Sequence, residues 1–84
     1  MDQLTLVAAI KEIVTPYSKN EEALNNISEN TDFVKDLQIN SANLVDIILD
    51  VEEKFNIVID NESMERMLTV KAAIDIITEK LAAQ

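Results

Sequence analysis

Leu44, Ile47, Ile48, Val51 and Phe55 fall at i, i+3, i+4, i+7 and i+11, a spacing that lays one apolar stripe along an α-helix. That stripe needs a partner surface, so the chain around it must build a core. The flanking residues fit the same helix. Asn40 suits the N-cap, Lys54 lies in the last turn where a cation complements the helix dipole, and Asn56 tolerates the left-handed conformation that stops a helix. The expected helix runs from Ser41 to Phe55. Ser41 then sits in its first turn, where a phosphate ester on the hydroxyl would lie against unpaired N–H groups and the positive end of the dipole.

Two further segments carry helical periodicity. Leu6, Ile10, Ile13 and Tyr17, with Val7 and Val14 beside them, predict a helix from Gln3 to Thr15, capped by Asp2 and ended by Pro16. Val70, Ala73, Ile74, Ile77 and Leu81 predict a last helix capped by Thr69. Between Ser18 and Asn40 no long period exists. Ser18-Lys19-Asn20-Glu21 has the form of a capping box, so a short helix over residues 19–26 is expected, docked by Leu24 and Ile27. A polar loop follows, pinned by Phe33, Val34, Leu37 and Ile39. Ile57, Val58 and Ile59 would suit a strand but have no second run to pair with, so an extended connector is expected. Asp60 or Asn61 then caps a short helix through Met67. The expected fold is all-α: one domain over residues 1–84, a small bundle of three longer helices and one short one with a long first loop, the loop helix counting as an extra turn.

Composition narrows what such a bundle does. The chain has 48% hydrophobic residues, enough to fold despite a net charge of -9. That charge excludes nucleic acid and anionic membranes as natural partners and favours a basic protein. No apolar run has the length of a membrane span or a secretory core, which predicts a cytoplasmic protein without membrane insertion; a monomer is expected. With no cysteine and no histidine, the commonest nucleophile, general base and metal ligands are missing, so catalysis by this chain is not expected. Asp60 to Glu65 lacks the glycine and the spacing of an EF-hand, leaving at most a weak divalent site and no assigned metal. Glycine is also absent, and the eight asparagines are the expected substitutes wherever φ must be positive.

The run D-L-x-x-N-S-x-x-x-V-D-x-x-x-x-x-E-E-x-F, from Asp36 to Phe55, resembles the phosphopantetheine attachment segment of acyl carrier proteins. Asp32 to Leu37 extends the likeness upstream, and Ile59 to Ile77 extends it downstream, with Leu68-Thr69-Val70-Lys71-Ala72-Ala73-Ile74-Asp75 similar to the opening of the family's last helix. About half the chain carries it well, and the N-terminal part only loosely. The resemblance implies that a phosphopantetheinyl transferase moves 4′-phosphopantetheine from coenzyme A onto Ser41. The arm's thiol would then hold acyl groups as thioesters for enzymes of fatty-acid or polyketide-type synthesis. By itself Ser41 is an ordinary residue for a helix start; the surrounding run gives it this role.

A second face of the main helix carries Ala42, Val45 and Leu49 at i, i+3 and i+7, beside Asp46, Asp50 and Glu53. Residues 41–65 hold seven acids and one base, a net -6. An ordinary solvated face has this form, and so does a docking surface in which charge guides encounter and aliphatic residues supply contact area. By resemblance, Asn40, Ala42, Val45, Asp46, Leu49, Asp50, Glu52 and Glu53 would meet basic patches on the transferase, ketosynthase, acyltransferase or ligase. Ile48, Ile59, Met64, Met67, Leu68, Ala73 and Ile74 read most simply as core, adaptable through its methionines; the resemblance implies that a tethered acyl chain enters there.

The chain departs from the family at four places. Asn40 replaces an aspartate, Ala42 a leucine, Gln38 a glycine and Asp60 a proline. A lost charge beside Ser41 and a smaller docking side chain point to a specialised pathway. Two alternatives stay open: an aminoacyl or peptidyl carrier, against which the missing Gly-Gly counts, and an unmodified acidic adaptor of the same fold, against which the intact serine counts.

Overall fold

A computed structural model of the chain describes residues 2–83. Among them lie five α-helices and no strand: α1 Gln3–Val14, α2 Glu21–Asn25, α3 Leu44–Phe55, α4 Asn61–Arg66 and α5 Val70–Ala82, with a 3-10 turn at Ser41–Asn43. The three longer helices each bury one stripe. Leu6, Ile10 and Val14 of α1, Ile47, Ile48, Val51 and Phe55 of α3, and Val70, Ala73, Ile74 and Ile77 of α5 join one hydrophobic cluster. α1 packs against both α3 and α5. The caps follow from local chemistry. The side chains of Asp2, Asp60 and Thr69 accept the N–H groups of Thr5, Ser63 and Ala72 at 2.8, 2.7 and 3.2 Å, each satisfying one orphan donor of a helix start.

The long loop is ordered by the segment before α5. Phe33 N–H donates to the Leu68 carbonyl, and Val70 N–H to that of Thr31, both at 3.0 Å, which makes an isolated antiparallel bridge between Asp32 and Thr69. Phe33, Leu37 and Ile39 enter the core from this loop. Val34 does not. It is exposed because the Asp32 carboxylate gathers the N–H groups of Val34 and Lys35 at 2.9 and 2.8 Å into a tight turn, which leaves only one of two neighbouring side chains facing inward.

Three other expectations are corrected. α2 starts at Glu21, not residue 19: Asn20 caps it by accepting the Ala23 N–H at 3.1 Å, while the Ser18 hydroxyl donates to the Leu37 carbonyl at 3.1 Å. Ser18 is thus occupied with the loop rather than with a capping box. The main helix is α-helical only from Leu44, since Ser41–Asn43 winds more tightly. Positive φ occurs at Asn56 (54°), as expected of an asparagine, but also at Gln38 (56°). At Gln38 this chain holds a Cβ-bearing residue in the left-handed region.

Candidate functional site

Ser41 is exposed at the head of the 3-10 turn. The Asn40 side chain accepts the Ala42 N–H at 2.9 Å, the Asn40 carbonyl accepts the Asn43 N–H at 2.8 Å, and the Ser41 carbonyl accepts the Leu44 N–H. The N–H groups of Ala42, Asn43 and Leu44, which the sequence left free for a phosphate, are therefore already engaged. What remains favourable for a phosphate ester there is an accessible hydroxyl and the positive end of the 12-residue helix that follows.

Ala42 of the 3-10 turn and Val45 and Leu49 of α3 all face solvent, the last two at 51% and 56% exposure. Asp46 and Glu53 are exposed beside them. Asp50 and Glu52 are different, being half-buried and already bonded within the chain. Asp50 accepts the Tyr17 hydroxyl at 3.3 Å, and Glu52 accepts the Ile59 N–H at 2.7 Å. Lys54 reaches across to Glu12 at 4.0 Å, a surface pair of little energetic weight. The eight residues read from sequence as one face thus divide into an accessible apolar and acidic group and two carboxylates that also hold the fold. Periodicity could not separate them, because the partners Tyr17 and Ile59 lie on other segments.

The layer read as an acyl pocket is partly assembled. Ile48, Ile59, Met67, Ala73 and Ile74 are buried in the common core, and Met64 packs partly buried against it. Leu68 is the exception at 50% exposure. The chain turns sharply where α4 ends, the Leu68 N–H donating to the Arg66 carbonyl at 2.9 Å, and this bend leaves Met67 and Val70 inside and Leu68 outside. Its carbonyl, not its side chain, serves the interior by receiving Phe33. A surface depression lined by Thr15, Ser18, Lys19, Glu21 and Leu24 includes none of these residues.

Among the described residues, no group of three or more acidic, histidine or cysteine side chains is placed to hold a metal ion. No helix is long and apolar enough to cross a membrane. The phenol of Tyr17 is pushed above its ordinary value, chiefly by burial and then by the charge of Asp50.

No protein-family model matches the chain. The chain is similar to the acyl carrier protein of Buchnera aphidicola subsp. Schizaphis graminum, with 40% identity over 62 residues, 74% of this chain and 73% of the relative. Its fold is similar to the crystal structure of an acyl carrier protein from Thermotoga maritima, with TM-score 0.81 and 29% identity over 99% of this chain and 94% of the other. It also resembles the solution structure of a hexanoyl carrier protein from the actinorhodin polyketide synthase of Streptomyces coelicolor, with TM-score 0.75 and 19% identity over 99% and 93%.

Proposed function

Since the chain belongs to the acyl carrier protein family, we propose that Ser41 is the residue on which it receives 4′-phosphopantetheine from coenzyme A. The chain is a carrier and not an enzyme. The observation that supports Ser41 is its position: an exposed hydroxyl at the start of α3, beside an accessible apolar and acidic face. When bound, the group supplies a thiol, which this chain lacks, and on it an acyl group travels as a thioester. The chain's own residues do the rest. Asn40 holds the backbone around Ser41 in a fixed turn, while Val45, Leu49, Asp46 and Glu53 present a surface to a basic partner. Ile48, Ile59, Met64, Met67, Ala73 and Ile74 are the residues a cargo chain would part, with Leu68 at their rim.

Membership of the family implies transferase, ketosynthase and acyltransferase or ligase partners in a cytoplasmic setting, and the charge of this face fits basic patches on them. Asn40 and Ala42, beside Ser41, favour a specialised fatty-acid or polyketide-type pathway over bulk fatty-acid synthesis. The test is intact mass before and after incubation with coenzyme A and a broad-specificity phosphopantetheinyl transferase, with Ser41→Ala as control. A gain of one phosphopantetheine on the parent alone is the expected result. No gain on folded, initially unmodified protein would turn the reading to an acidic adaptor of the carrier fold. Loading followed by acceptance of aminoacyl but not acyl cargo would turn it to a peptidyl-type carrier.

A further inference from the structure

Gln38 is left-handed, at φ 56°. That region suits glycine, and asparagine or aspartate tolerate it through a short side chain that bonds locally; a glutamine has neither property. At Asn56, the other positive φ among the described residues, the left-handed turn stops α3. No helix ends at Gln38. Its geometry is imposed from both sides. Leu37 and Ile39 are fully buried, at 0% and 1% exposure, and their backbones are held as well. The Leu37 N–H donates to the Asp32 carbonyl at 3.2 Å, the Leu37 carbonyl accepts the Lys19 N–H at 3.0 Å, and the Ile39 N–H donates to the Phe33 carbonyl at 3.1 Å. With both neighbours drawn inward, the residue between them is turned out: Gln38 is exposed, and its carboxamide has no hydrogen-bond partner among the described residues.

The fold therefore keeps a Cβ-bearing side chain in a disfavoured conformation without using it. Strain of this kind concentrates at functional sites, and Ser41 follows three residues later. Residues 37–45 carry no charge, and the acids of α3 begin at Asp46. The polar groups exposed next to Ser41 are thus neutral. Of the two exposed carboxamides there, that of Asn40 has its oxygen committed to the Ala42 N–H, whereas that of Gln38 offers both its oxygen and its NH2.

We propose that Gln38 determines how well Ser41 is recognised for modification: its carboxamide hydrogen-bonds the phosphopantetheinyl transferase as that enzyme brings its active site to the serine hydroxyl. The transferase is the partner that fits, because enzymes acting on cargo work at the thiol end of the arm, while the transferase must approach the Ser41 oxygen itself. The contact is neutral, so it sets affinity at the serine while the acidic face of α3 guides encounter. The inference rests on Ser41 being the modified residue.

The experiment is a steady-state titration of the unmodified chain as substrate for a broad-specificity phosphopantetheinyl transferase with coenzyme A, loading being read by intact mass. Gln38→Gly removes the carboxamide and relieves the backbone; Gln38→Ala removes the carboxamide and keeps the Cβ. Both variants are expected to raise KM about fivefold, the weight of one neutral hydrogen bond, with kcat unchanged. The ratio to the parent is expected to persist at high salt, where attraction to the acidic face is screened. Because Gln38→Gly is expected to raise Tm, a poorer substrate that is a more stable protein separates recognition from folding. Parental KM in both variants would overturn the proposal. So would a raised KM in Gln38→Gly alone, which would assign the effect to backbone geometry, or a fall in kcat at unchanged KM, which would assign it to placement of the hydroxyl. No loading of the folded parent would remove the Ser41 reading and this one together, whereas loading with equal KM removes only this one.

Discussion

Tyr17 and Asp50, 33 positions apart, meet through a hydrogen bond of 3.3 Å in which the phenol donates to the carboxylate. It ties the chain just beyond α1 to the middle of α3, between residues that the sequence assigned to separate tasks: one end of the first helix's apolar stripe and a docking acid.

This contact sets an alkaline limit. Burial, and then the negative charge of Asp50, raise the Tyr17 phenol above its ordinary 10.0. The folded state holds the proton more tightly than the unfolded state does, so the stabilisation is fully present below the unfolded value and is lost as pH rises through the folded one. Tyr17→Phe is expected to flatten the fall in stability above about pH 10, measured by denaturant melts across an alkaline series. An unchanged alkaline slope would refute it.

At acid pH the sign reverses at Asp60. Its carboxyl is lowered from 3.8, chiefly by hydrogen bonding from the Ser63 side chain, then from the Ser63 N–H, and then by Lys80 at 3.5 Å. That stabilisation is present above the unfolded value and is lost as pH falls through the folded one. Asp60→Asn retains a cap oxygen but no charge. It is expected to be less stable than the parent at neutral pH, with the difference closing under acid, as thermal melts would record.

Gln38 stands at φ 56° with a Cβ that this region disfavours. Left-handed geometry costs an ordinary residue roughly 1–2 kcal/mol, against roughly 0.4–1 kcal/mol of extra unfolded entropy for glycine. Gln38→Gly is therefore expected to stabilise the protein by about 1 kcal/mol, or about 5 °C in Tm for a domain of this size. Calorimetry that showed a lower Tm would contradict the assignment.

Restoring the family's residues beside Ser41 tests partner choice. In the double variant Asn40→Asp with Ala42→Leu, an aspartate oxygen can still accept the Ala42-position N–H now bound at 2.9 Å, and the exposed face gains a charge and a larger aliphatic contact. Turnover by enzymes of general fatty-acid synthesis is expected to rise several-fold. Unchanged steady-state rates would count against a specialised pathway.

Much of the candidate site was legible because its signals are local. A helical stripe from Leu44 to Phe55 needs only a 3.6-residue period, and the caps Asp2, Asn40, Asp60 and Thr69 need only an oxygen within reach of the next turn. The exposure of Val45 and Leu49 follows from the same period. Ser18 was misread for the converse reason: its capping-box form is local, but its hydroxyl is claimed by Leu37, 19 positions away.

What the sequence by itself determined was therefore the three long helices, their buried faces, the helix start that presents Ser41, and the acidic surface next to it. Each depends on neighbours within a few turns. Only the tertiary structure decided that Val34 and Leu68 face outward, that Gln38 is left-handed, that Asp50 belongs to Tyr17 and that Glu52 holds Ile59. For Leu68, Asp50 and Glu52 a polar group is matched to a partner on another segment, and no period or motif records which partner the folded chain brings within hydrogen-bond distance.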